Sequence, residues 1–162
     1  MLTDYWIFKV KDEVSGIFGR RGYNIFEHRI KERFWGLREF DAKGRKDPNL
    51  GLLKKGDCVV FYSVAKNGSC FVGNGVLDSG YVQLNEEQTK YLVHSEYIDT
   101  DKGVFLKEAK KWLKPLPIEN LRGKESFAAM GGKLGAFFQG SIKKMKRREE
   151  YDVIIREHEL IG

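Results

Sequence analysis

Apolar and polar positions change period along the chain, and the changes divide it into elements. Tyr5-Trp6-Ile7-Phe8-Lys9-Val10 is an aromatic and β-branched run, as in a buried strand. A glycine-containing loop from Gly16 to Gly22 follows and carries the adjacent Arg20 and Arg21. Asn24-Ile25-Phe26-Glu27 has capping-box spacing, and Ile30 and Phe34 extend an apolar helical face. The predicted helix delivers Phe34-Trp35-Gly36-Leu37, with Gly36 at its end. Residues 41–51 are polar and basic and are expected to form a mobile loop. Lys55-Gly56-Asp57 then reads as a turn before a strand from Cys58 to Val64. Asn67-Gly68 is a hairpin signal, and the partner strand runs from Cys70 to Leu77. Within it, Gly73 and Gly75 predict a bulge or the close approach of another backbone.

Asn85, with Gln88 at the capping-box position, predicts a short helix from Glu86 to about His94. Val104 to Leu113 fits a helix by its Lys and Glu content and a strand by Phe105, Leu106 and Trp112. Lys133 to Ile142 has the pattern of a glycine-punctuated strand or turn. From Glu149 to Leu160, Tyr151, Ile154, Ile155 and His158 are spaced for a terminal amphipathic helix. The order predicts an α+β domain over residues 1–162, a curved antiparallel sheet or barrel flanked by helices. No internal repeat, low-complexity tract or linker interrupts it.

Composition changes this picture in one respect. The 162 residues are 41% hydrophobic, ordinary for a globular protein, but 13% aromatic, with flat faces to spare for stacking. The formal charge of +6 favours polyanions through phosphate neutralisation. No stretch approaches the roughly 20 apolar residues that span a bilayer, so a cytoplasmic protein without membrane partners is expected. Cys58 and Cys70 lack CxxC spacing and are expected as buried free thiols, a disulfide across neighbouring strands being the alternative in an oxidising compartment.

Catalytic and metal chemistry find little to stand on. His28, His94 and His158 have neither His-x-x-x-His spacing nor a neighbouring cysteine pair, so no metal is expected. There is no Gly-x-Ser-x-Gly elbow and no phosphate loop. Gly73-x-Gly75 lacks the third glycine of a dinucleotide fingerprint, because Asp78 stands there. Asp41, Asp57 and Glu87 are unpaired in the sequence. The chain is therefore expected to be non-catalytic and to carry no cofactor.

Several short segments, in order, resemble the EVE domains of the PUA-like superfamily and, more distantly, YTH domains. They are Tyr5-Trp6-Ile7-Phe8-Lys9, Trp35-Gly36-Leu37-Arg38-Glu39-Phe40, Lys55-Gly56-Asp57 through Ser63, Phe71 to Val76, Lys114-Pro115-Leu116-Pro117-Ile118 and Glu149-Glu150-Tyr151. The segment between Trp35 and Lys55 is longer and more basic than in a typical EVE domain. Ser63 follows Tyr62 directly, which is more like a YTH domain.

The resemblance implies recognition of a modified, methylated base turned out of its strand into an aromatic pocket. Trp35 falls on the family's pocket tryptophan, with Tyr81 as the opposite wall and Phe138 as a further aromatic candidate. Ser63 and Asn74, which donate and accept, and Lys9 and Val10 at the end of the first strand are candidates to read the base edge. Arg20, Arg21, Lys43, Arg45 and Lys46, on two basic loops, are the candidate phosphate contacts. The expected partner is nucleic acid with a methylated adenine or cytosine, DNA favoured over RNA. A fused or associated motor or nuclease, as in restriction motors of the McrB type, would be its effector. A reader of methylated RNA and an enzyme acting on modified nucleosides are the alternatives.

Overall fold

In the computed structural model, residues 2–11, 22–41, 43–65, 68–93, 98, 100–121, 124 and 141–161 are described. The two strongest apolar runs, β1 (Tyr5–Lys11) and β3 (Cys58–Ala65), lie side by side in parallel, Phe8 opposite Phe61 and Val10 opposite Ser63. Trp6, Phe8, Val59 and Phe61 project into one core, while Ile7, Val60 and Tyr62 project into another. Burial on both faces is why these strands read as continuous apolar runs rather than alternating ones. Parallel pairing needs a long crossover, and residues 12–57 supply it. The sheet is thus mixed, not wholly antiparallel as the sequence predicts.

The crossover contains α1 (Gly22–Glu32) and β2 (Phe34–Gly36). Phe34 continues the spacing of Ile30 and so reads as helix, but the helix stops at Arg33, whose φ is 59°. The next three residues pair with the start of β6 (Lys102–Pro117): Phe34 with Phe105, Trp35 with Val104, Gly36 with Gly103. Trp35 is therefore carried by a strand, not by a helix end. Its backbone is satisfied by the sheet, which outweighs the local helical pattern.

Antiparallel pairing of β3 with β4 (Gly68–Leu77) brings Ala65 opposite Gly68, as a two-residue hairpin requires; Asn67 itself lies outside the described residues. β4 pairs in turn with β6, its register shifting between Phe71 and Gly73. A Cβ on Gly73 would lie 2.2 Å from the Lys110 carbonyl oxygen, so only glycine allows this contact. β6 runs for 16 residues, and pairing along both edges settles the ambiguous segment as strand. β5 (Val82–Gln83) pairs with its first residues, and β7 (Ile142–Lys144) adds to the far edge of β1. The order β2-β6-β4-β3-β1-β7 curls around α1.

Asn85 caps α2 (Glu86–Leu92) through a reciprocal box with Gln88, as its spacing predicts. On the second face, α3 (Arg148–Ile161) buries Val153 and Ile154, and its His158 ring stacks on Trp112 at 3.8 Å. Asp57 is fully buried at the turn into β3. It accepts hydrogen bonds from Trp6 Nε1 (2.9 Å) and from the Asp4 and Lys54 amides, and pairs with the Lys54 ammonium. Cys58 and Cys70 are free thiols, half-buried on neighbouring strands. Among the described residues no helix is long and apolar enough to cross a membrane.

Candidate nucleic-acid interface

Where β1 and β2 end beside α1, the curled sheet leaves a cavity of about 780 Å³. That lies within the range of small-ligand pockets, roughly 300–1,000 Å³. Val10, Ile25, Trp35, Leu37 and Leu50 give it an apolar floor, and Lys9, Lys11, Arg29, Arg38, Arg45 and Lys46 line it with cations.

Trp35 has no solvent-exposed surface. One face of its indole stacks on Phe61 at 4.9 Å and 23°, with Phe8 at 5.7 Å. The Arg29 guanidinium lies over the ring, 4.9 Å from its centroid. The indole lines the cavity, and Arg29, which lines it too, lies between the ring and the cavity's cationic edge. Its strand is held from several sides. Leu37 N donates to the Lys102 carbonyl at 2.8 Å, and the Tyr81 hydroxyl donates to the Leu37 carbonyl at 2.8 Å. Gly103 packs so closely beneath that a Cβ there would lie 2.1 Å from the Trp35 carbonyl oxygen.

The described residues of the basic segment after Phe40 form a hydrogen-bonded turn. Asp41 accepts from the amides of Lys43 (2.9 Å) and Arg45 (2.8 Å) and from Arg45 Nε (2.9 Å), while Phe40 bridges to Lys46. The Arg45 amide, foremost, holds the Asp41 carboxyl below its ordinary pKa. Lys46 lies 3.5 Å from Glu39, whose carboxyl is lowered chiefly by its hydrogen bond from Lys102. Pairs at the solvent edge hold weakly, so a phosphate can replace either acid at little cost. Asp47 then caps a short 3₁₀ turn, Pro48–Leu52, accepting from Asn49 N at 2.8 Å and setting Leu50 in the floor. Lys9 is half-buried at the rim. Burial, with repulsion from Lys11, lowers its pKa, so an approaching phosphate meets an ammonium short of counter-charge.

The structure thus brings together Trp35, Lys9, Val10, Arg45 and Lys46, with Lys43 in the same turn. Three other candidates go elsewhere. Tyr81 is a prop behind the cavity, its hydroxyl committed to Leu37; burial, then the Glu39 and Asp101 carboxylates, push its pKa up to about 12. Ser63 is buried in the sheet between Val10 and Cys70 and does not line the cavity. Asn74 faces the second core, where its Oδ1 accepts from Trp112 Nε1 at 2.9 Å and its side chain bonds the Tyr151 hydroxyl. Arg20, Arg21 and Phe138 lie outside the described residues.

Sequence reasoning missed Arg29, Arg38 and Lys11. The signal for Arg29 was present, since it stands one turn beyond Ile25 on the side of α1 that faces the cavity. Among the described residues no group of three His, Cys, Asp or Glu side chains could hold a metal ion.

No protein-family model matches the chain, and no curated protein matches it. Solved structures do. The human THYN1 protein in complex with 5-methylcytosine-containing DNA has a TM-score of 0.58 at 16% identity, covering 96% of this chain and 98% of that one. For the DUF55 domain of human thymocyte nuclear protein 1 the TM-score is 0.60 at 16% identity, with coverage of 96% and 99%. A hypothetical protein from Leishmania major has a TM-score of 0.62 at 17% identity, over 99% and 98%. At these identities the likeness establishes the fold, a PUA-like α+β half-barrel with a curled mixed sheet.

Proposed function

We propose that the chain is a non-catalytic reader of a modified base in DNA, with 5-methylcytosine as the leading ligand. The observation that carries this is the cavity itself, a tryptophan-floored pocket edged, among the described residues, by six cations. A flat, apolar-faced ring joined to phosphates suits both parts. The methyl group favours cytosine because the THYN1 protein of the same fold was solved with 5-methylcytosine DNA.

The base would be turned out of the duplex, because a methyl on its edge cannot be enclosed while the base remains stacked. Unstacking costs a few kcal/mol. Stacking on an aromatic wall returns about 1–3 kcal/mol, and phosphate contacts supply the rest. Burying the methyl is worth about 0.8 kcal/mol, so enclosure alone gives about a fourfold preference for the methylated base. Bound in this way, the domain would direct a fused or associated motor or nuclease to modified sites.

The test is a fluorescence-polarisation panel of duplex and single-stranded DNA and RNA, each unmodified, adenine-methylated and cytosine-methylated, at two salt concentrations. Cytosine-methylated duplex should bind at least about fourfold tighter than plain duplex, and Trp35→Leu should remove the difference. Equal affinity for the two duplexes overturns the proposal. Preference for a methylated single-stranded RNA would reassign the site to RNA.

A further inference from the structure

The position of Arg29 suggests more than a phosphate contact. Phe61 stacks on the Trp35 indole, the Arg29 guanidinium lies over the ring, and the indole, packed in the core, has no exposed surface. Trp35 and Arg29 both line the cavity. Cation and base compete for the same electron-rich surface, and both cannot occupy it.

We propose that the Arg29 guanidinium is a placeholder that an incoming base must displace, and that it makes the cavity selective for bases still attached to a phosphate chain. This rests on the base-reader reading above. A base within a strand carries its phosphates to the rim, where Arg45 and Lys46 also lie. The displaced guanidinium, tethered on α1, exchanges the indole for a charge-assisted bond to a phosphate oxygen. A free nucleoside displaces the same cation and offers it nothing. Arg29 therefore opposes loose nucleosides and admits the polymer.

Two measurements test this, on the full chain. The first follows the Arg29 side-chain Nε–H by NMR, assigned by its loss in Arg29→Lys. The signal should lie at a ring-current-shifted position in the free protein and leave it when 5-methylcytosine duplex is bound. The second compares wild type with Arg29→Ala against 5-methyl-2′-deoxycytidine and against the methylated duplex. The variant should bind the nucleoside about fivefold tighter, while its salt slope for the duplex falls by about one. Nucleoside binding that is unchanged, weaker or undetectable in Arg29→Ala, or an Arg29 signal that stays in place in the complex, overturns the placeholder. Those outcomes leave the base-reader proposal standing as long as wild type still prefers methylated duplex; loss of that preference removes both.

Discussion

Gly103→Ala tests whether the floor of the cavity is set by backbone packing. A Cβ at this position would lie 2.1 Å from the Trp35 carbonyl oxygen and 2.9 Å from Phe34 Cζ. Both neighbours belong to a fully buried strand, so neither can swing aside as an exposed side chain would. Restoring even a 3.0 Å contact requires β2 and β6 to part by about 0.9 Å. The adjacent bond from Leu37 N to the Lys102 carbonyl, now 2.8 Å, would then stretch beyond hydrogen-bonding range. Overpacking costs about 1–3 kcal/mol and the lost bond about 1 kcal/mol. At about 2–4 °C per kcal/mol for a chain of this size, the melting temperature should fall by roughly 10 °C.

Gly51→Ala is the control, because nothing lies within 4 Å of a Cβ there and the effect should stay within about 0.5 kcal/mol. Thermal unfolding by circular dichroism measures both. Methylated and plain duplexes, titrated below the melting temperature, should lose their difference in Gly103→Ala because Trp35 has moved. If Gly103→Ala melts with Gly51→Ala and wild type, the close β2–β6 contact is not what positions Trp35.

Tyr81→Phe should cost about 1 kcal/mol by removing the donor to Leu37. The folded protein holds the Tyr81 proton up to about pH 12, whereas the unfolded chain releases it near 10. This contribution is therefore complete below pH 10 and lost as pH rises towards 12, a slope that urea unfolding should find in wild type and not in Tyr81→Phe. Asn74→Ala should destabilise by about 1–3 kcal/mol, because Trp112 Nε1 loses its acceptor, yet leave discrimination of methylated duplex unchanged. A loss of discrimination at unchanged stability would return Asn74 to the site. Arg45→Gln and Lys46→Gln should each lower the salt slope of duplex binding by about one and leave the methylated-to-plain ratio alone. Unaltered slopes would mean that Asp41 and Glu39 keep these cations from the backbone.

Much of the fold was legible because its local signals agree with the tertiary structure. The Asn85 box, the β3–β4 hairpin and the apolar runs of β1 and β3 each have one physical solution. The errors arose where one pattern admits two solutions. Phe34 satisfies a helical stripe after Ile30 and also a strand pair with Phe105, and only the partner strand decides between them. Asn74 shows the same limit within the site. Counting alternate residues from Phe71, which faces the second core, puts Asn74 with Val72 on the cavity side. The bulge between Phe71 and Gly73 reverses that parity and turns Asn74 to Trp112 instead. The glycines announce a bulge without stating its phase. Tyr81, which stands behind the cavity, was not placeable from sequence for a different reason, since wall and prop require the same residue type.

The cavity separates two tasks that composition alone merges into basic charge. Among the described residues its lining holds six cations and three carboxylates, Glu39, Asp41 and Asp47, a formal surplus of three. Such a rim neutralises about three phosphates, and raising salt from 50 to 200 mM would weaken binding only about 40-fold. Proteins that depend on backbone charge carry two to three times as many contacts. On the base-reader proposal, charge on the described rim contributes modestly, and the apolar floor supplies the discrimination. That is why its supports are rigid and inward: Gly103 beneath Trp35, Tyr81 behind Leu37, Phe61 against the indole. The adjustable groups, Arg45 on Asp41 and Lys46 on Glu39, stand at the solvent edge, where exchanging a carboxylate for a phosphate costs little.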